Sequence, residues 1–162
     1  MVKKILAPTD LSELSRAGVR YALTTARELD AEVIIYNVVT GNDIAKLGRR
    51  KEERFVATDF AGFIADYEMR LASFVEENFA DILTSVKVSQ KVEFGTPEKR
   101  IVETAKTEGV DLIIMATHGR GGLPRMFLGS VTEHVIRNAP CMVAVMPPDL
   151  SEVEEGLHIP AH

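Results

Sequence analysis

The chain has a single cysteine, Cys141, no tryptophan, and only seven phenylalanines and three tyrosines in 162 residues. One cysteine cannot close an internal disulfide, so the fold must rest on its apolar core, and a reducing cytoplasm is its simplest home. Cys141 itself lies in an apolar run and reads as a small buried hydrophobe. No apolar run reaches the ~18–20 residues of a membrane-crossing helix. Met1-Val2-Lys3-Lys4 leads straight into the strand-like Ile5-Leu6-Ala7, without the pattern of a signal peptide. His118, His134, His158 and His162 are scattered and show no metal-ligand spacing. A net charge of -5 argues against nucleic acid as the main partner. Also missing are a Walker loop, a dinucleotide fingerprint after the first strand, a nucleophile elbow and a Cys/His pair. Catalysis finds little support, and a binding role is the better reading.

What is present suits one ordinary soluble domain, with 46% hydrophobic and 27% charged residues. The pattern alternates strand and helix, which predicts a parallel sheet covered by helices on both faces. Strands are expected over 3–8, 32–39, 85–94, 110–116 and 141–146. Ser12 or Asp10 caps a first helix whose inward stripe is expected to be Leu14, Ala17, Tyr21, Ala22, Thr25 and Leu29. Residues 40–59 read as a polar, mobile connection with some helix at its end, followed by a long helix bearing Phe60, Ile64, Tyr67, Leu71, Phe74 and Ile82 on one side. Gly95 turns the chain into a helix capped by Thr96 with Pro97 at its first position, and Gly109 ends that helix. A short helix spans 130–138, and Pro147-Pro148 stops the last strand. The domain is therefore placed at 1–148, with 149–162 an acidic, poorly ordered tail.

The unusual chemistry lies at two strand ends. One is Ala7-Pro8-Thr9-Asp10. The other is the run from Thr117 to Thr132, where Gly119, Gly121 and Gly122 stand with Arg120 and Arg125 between the apolar Leu112–Ala116 and a helix start. Glycines allow close backbone approach to a ligand, and a helix start adds free N–H groups and the positive end of the dipole. That combination suits phosphate. Ser130-Val131-Thr132-Glu133 reads as a capping box opening the helix. In a sheet ordered 3-2-1-4-5 the two strand ends lie side by side at the point where the winding reverses, which is where open α/β sheets bind ligands.

Three segments resemble the universal stress protein family: Lys3-Lys4-Ile5-Leu6-Ala7-Pro8-Thr9-Asp10, Gly95-Thr96-Pro97, and Met115-Ala116-Thr117-His118-Gly119-Arg120-Gly121-Gly122 continuing to Leu128-Gly129-Ser130-Val131. The resemblance covers essentially residues 1–148. Nucleotide-binding members carry Gly-x-x-Gly, nine residues, then Gly-Ser/Thr. Gly119 and Gly129-Ser130 keep that spacing here, while Ala116 stands where the first glycine would be. The resemblance implies a Rossmann-like fold, usually a homodimer, and an adenine nucleotide as ligand: ATP, ADP or AMP. It places Val38 against adenine and Pro8, Thr9 and Asp10 along base and ribose. Ala116, His118, Gly119, Arg120, Gly121, Gly122, Gly129, Ser130, Val131 and Thr132 then surround the phosphates. Magnesium would come with the nucleotide, near Asp10, with no protein-only metal site. A nucleotide-free stress protein acting through protein contacts is the alternative. A receiver domain is excluded, because Asp10 has no paired acid and neither Asp after strand three nor Lys after strand five is present. The last strand, 141–146, is apolar on both faces yet lies at a sheet edge, so a homodimer paired through it is expected. Any ATP hydrolysis is expected to be slow, and the downstream partner is not legible.

Overall fold

The computed structural model describes residues 1–50, 60–117 and 128–147, with residues 47–50 given by their backbone alone. Five strands, β1 (Lys4–Pro8), β2 (Glu32–Val39), β3 (Lys87–Phe94), β4 (Leu112–Ala116) and β5 (Met142–Met146), form one parallel sheet in the order β3-β2-β1-β4-β5. The helices are α1 (Glu13–Leu29), α2 (Gly41–Arg50), α3 (Phe60–Leu83), α4 (Pro97–Thr107) and α5 (Ser130–Asn138). From β1 the chain winds outward through β2 to β3, then returns past β1 to β4 and β5. Right-handed crossovers in opposite directions put their helices on opposite faces. Accordingly α1 and α3 cover one face, with Val19, Leu23, Leu71 and Phe79 against Ile5, Val33 and Ile35. On the other face α4 and α5 bring Ile101, Ala105 and Val135 against Leu6, Ile34 and Ile113.

The central strands are buried on both sides, which explains the unbroken apolar runs in β1 and β4. Burying each such Leu or Ile side chain contributes about 1.5–3 kcal/mol. The two edge strands are largely half-buried or exposed, and Met142 of β5 is among the exposed apolar residues.

Several expectations need correction. On α3 the buried side is Phe63, Tyr67, Leu71, Val75, Phe79 and Ile82, and Phe60 is exposed. The inward stripe of α1 is Ser15, Gly18, Val19, Ala22, Leu23 and Ala26, while Leu14, Tyr21 and Leu29 face outward. The reason is distance: a Cβ on Gly18 would stand 2.7 Å from the Ala116 backbone nitrogen, so α1 sits too close to β4 for large side chains to lead. In the 40–59 segment, helix occupies the start, where a mobile connection was expected, and the helix expected at its end lies outside the described residues. Asp43 Oδ2 accepts from the Thr40 N–H (2.9 Å) and Oγ1 (2.8 Å), opening α2 directly after β2. Ile44 then packs with Val39, Phe63 and Tyr67, which fixes the helix against α3. Residues 51–59 and the tail 149–162 lie outside the described residues.

Candidate functional site

The β1–α1 turn is held from several directions. Leu11 adopts a left-handed backbone (φ 65°), a conformation that costs a non-glycine residue roughly 1–2 kcal/mol. Its side chain compensates by packing against both the sheet core and the Val39–Phe63–Tyr67 cluster. The Leu11 N–H donates to Thr9 Oγ1 (3.0 Å) and the Ser12 N–H to Asp10 Oδ1 (3.0 Å). Thr9 and Ser15 join hydroxyls at 2.7 Å, both buried, and Asn37 Nδ2 donates to the Thr9 carbonyl (2.9 Å). Of the two expected caps, Ser12 takes the N-cap position and its side chain accepts from the Ser15 N–H. Asp10 is thereby fixed at the end of β1.

On the other side of the reversal, β4 ends at Ala116 with ordinary strand pairing to β5, so the alanine in place of a glycine meets no left-handed backbone. α5 is tied to that end. The Gly129 N–H donates to the Thr117 carbonyl (3.2 Å), and Thr132 Oγ1 donates to the Ala116 carbonyl (3.2 Å). The N-cap is Gly129 rather than Ser130, so the cap residue has no side chain to accept from the helix start. This corrects the capping-box expectation by one residue. Ser130 enters the helix as its first residue because Gly129, in extended conformation, already supplies the carbonyl for the first helical bond, from the Glu133 N–H (3.0 Å). Among the described residues no side chain caps the opening N–H groups of α5, a geometry suited to an anionic ligand.

Between these two ends opens a cleft of about 380 Å³, within the range of small-molecule sites. Pro8, Thr9, Asp10, Val38, Ala116, Gly129, Ser130, Val131 and Thr132, all named from the sequence, line it together. His118, Gly119, Arg120, Gly121 and Gly122 lie outside the described residues. The walls also include Ser15, Tyr36, Thr40, Asn42, Asp43, Lys46, Pro97, Ile101 and Met115, which the sequence reading did not single out. Pro97 and Ile101 arrive because α4 opens on this face. Thr40 to Lys46 arrive because α2 follows β2 at once, a placement hidden while that stretch read as a loop.

Tyr36 forms part of the floor. Its hydroxyl donates to Glu93 Oε2 (2.5 Å) and accepts from Thr104 Oγ1 (3.0 Å), and burial together with the Glu93 carboxylate pushes its ionisation well above that of free tyrosine. Tyr36 is therefore a neutral hydrogen-bonding wall. Glu93 is buried enough for desolvation to raise its carboxyl, yet the Tyr36 bond and the nearby Lys91 and Arg100 hold it below the ordinary value. Among the described residues no group of three or more His, Cys, Asp or Glu could hold a metal ion. Nor is any described helix long and apolar enough to cross a membrane.

Fold and cleft define a doubly wound α/β protein with a ligand-type crevice at its switch point. The model of the universal stress protein family matches residues 1–147, and the chain belongs to that family. It is similar to Universal stress protein MJ0531 of Methanocaldococcus jannaschii, with 34% identity over 90% of this chain and 82% of that protein. Universal stress protein MJ0577 of the same organism is 30% identical over 88% of this chain and 94% of its own length. The solved structure of MJ0577 superposes with a TM-score of 0.67, covering 92% of this chain and 98% of that one. A universal stress protein family member from Arabidopsis thaliana, solved with AMP bound, shares the fold at 16% identity (TM-score 0.55; 93% of this chain, 94% of that one).

Proposed function

We propose that the chain is a regulatory module that binds an adenine nucleotide, ATP in the first instance, in the cleft between the ends of β1 and β4. The observation that carries this reading is the meeting, in one crevice, of apolar lining side chains and a helix N-terminus with glycine at its cap. Val38, Ile101, Met115 and Pro97 offer a surface for a purine. The start of α5 offers N–H groups and dipole to the phosphates, with the Ser130 hydroxyl as a further donor. On this reading Asp10, which also lines the cleft, serves the ribose or the magnesium ion that accompanies ATP. The glycines Gly119, Gly121 and Gly122 complete the phosphate wrap on this reading. The fold is shared with a protein that holds AMP, which is consistent with it.

The role is binding rather than rapid turnover. Phosphoryl transfer needs a positioned base and cations on the γ-phosphate. In the described cleft the two carboxylates are Asp10 and Asp43, and the latter already serves Thr40. Hydrolysis, where it occurs, is slow. The protein acts as a cytoplasmic homodimer joined through β5, whose outer edge pairs with no described strand and carries no charge from Met142 to Met146. Titration calorimetry with ATP and AMP, each with Mg²⁺, tests the reading. Saturable binding at micromolar to low-millimolar concentration is expected, with Ser130→Ala weaker by about 0.5–2 kcal/mol for the lost donor. No heat and no thermal shift at millimolar nucleotide overturns it.

A further inference from the structure

We infer that α2 supplies a second anion contact to this cleft, and that Lys46 is the residue that makes it, to a phosphate of the bound nucleotide. The inference rests on the nucleotide reading and extends it to a residue and a wall that the motif does not include.

Lys46 lines the cleft, and it is the one lysine or arginine among the described lining residues. Its helix starts at the end of β2, on the side of Asp10 opposite α5. The orientation of α2 is set from below. Thr40 and Asp43 exchange three hydrogen bonds through their side chains, two from Thr40 to Asp43 Oδ2 and one from the Asp43 N–H to Thr40 Oγ1 (3.3 Å), and the Asp43 N–H also donates to the Thr40 carbonyl (3.1 Å). Ile44 docks on the Val39–Phe63–Tyr67 cluster. With Asp43 and Ile44 turned to the protein, Asn42 and Lys46, four apart on a helix, share the face above the cleft.

Lysines elsewhere on this sheet are engaged. Lys4 pairs with Glu32 at 3.1 Å and Lys91 with Glu108 at 2.8 Å, whereas Lys46 makes no ion pair or hydrogen bond among the described residues. Among the described lining residues the carboxylates are Asp43, which accepts from Thr40, and Asp10, which accepts from Ser12. A cation at the rim of a concave site, with low-dielectric walls, concentrates an anionic ligand and makes a charge-assisted contact once the ligand is seated. The cleft thus has two electropositive poles, the α5 N-terminus and Lys46. Phosphate is the shared chemistry. It could belong to the 5′ chain or to a second phosphate on the ribose, and the nucleotide series below separates them.

The experiment is calorimetry of wild type, Lys46→Gln and Lys46→Arg with adenosine, AMP, ATP·Mg²⁺ and adenosine 3′,5′-bisphosphate at about 50 and 300 mM salt. Lys46→Gln is expected to weaken the phosphorylated ligands roughly three- to tenfold, less at high salt, with adenosine unchanged and Lys46→Arg restoring most of the loss. The ligand showing the largest loss identifies the phosphate. An unchanged affinity for every phosphorylated ligand, or an equal loss for adenosine, overturns the assignment. If wild type binds no nucleotide at all, the adenine reading fails, and inorganic tripolyphosphate then tests Lys46 by itself. Binding to wild type that Lys46→Gln abolishes upholds the anion contact, and its absence from wild type refutes it.

Discussion

Gly18→Ala is the sharpest probe of how the cleft is held, because it acts from outside it. An added Cβ would lie 2.7 Å from the Ala116 nitrogen and 3.0 Å from the Met115 carbonyl carbon, about 0.7 Å inside ordinary contact at 3.4 Å. The obstacle is backbone in the centre of a sheet, so no flexible side chain can swing away. Overpacking of this kind costs about 2–3 kcal/mol. The helix interior gains about 1 kcal/mol from exchanging glycine for alanine. The net expectation is a loss of about 1–2 kcal/mol, or a melting temperature lower by about 3–6 °C. The strain falls on Ala116 and Thr117, whose carbonyls accept from Thr132 Oγ1 and the Gly129 N–H, so α5 moves with them and nucleotide affinity declines too. Gly41→Ala, at a position with nothing within 4 Å of the new methyl, is the control and should leave stability unchanged or slightly raised. Urea denaturation of the three proteins measures the difference. A Gly18→Ala variant as stable as wild type would refute the close packing of α1 on β4.

Other expectations follow from the same geometry. Thr132→Val removes the buried hydroxyl that anchors α5 and strands the Ala116 carbonyl, costing about 1–2 kcal/mol by urea denaturation and weakening nucleotide binding in calorimetry. Glu93 is held below its ordinary 4.5, so the stability it contributes is complete above that pH and is lost as pH falls through its lower folded value. Thermal melts from about pH 5 to about pH 3 should therefore show a shallower decline for Glu93→Gln than for wild type, and equal slopes would remove Glu93 from the account. Val145→Arg should convert a homodimer to monomer in sedimentation, since two like charges would meet at the paired β5 edges; it is a cleaner probe than Val143→Arg, because Val143 already packs against the α4–α5 core. A wild type that stays monomeric at tens of micromolar, or a dimer indifferent to Val145→Arg, excludes this interface.

Much of the architecture was legible because the signals were long-range and redundant. The strand order follows once the chemistry at the ends of β1 and β4 is required to meet, and the helix over 130–138 was bounded correctly by Ser130 and Asn138. Fourteen site residues could be named from the family resemblance, and the nine of them among the described residues all line one cleft. The face of α1 was misread because large residues were given priority over small ones. Its Ser15, Gly18, Ala22 and Ala26 face inward, since the helix packs so close to the sheet that only small side chains fit at those points. α2 escaped notice because its sequence, Gly-Asn-Asp-Ile-Ala-Lys, is polar and its start depends on one local exchange between Thr40 and Asp43. With it went Asn42, Asp43 and Lys46, the outer wall of the site. Leu11 could not have been foreseen as left-handed either, because only the two apolar clusters that receive its side chain justify the cost.

The central claim is that an adenine nucleotide occupies the crevice at the sheet reversal, and a crystal structure of the protein grown with ATP and Mg²⁺ tests it most directly. The account predicts the purine against Val38 and the wall of Met115 and Ile101, the phosphates at the N–H groups of Ser130, Val131 and Thr132, and Lys46 turned toward a phosphate oxygen. A nucleotide bound elsewhere, or a cleft without nucleotide from crystals grown at millimolar ATP, would contradict it.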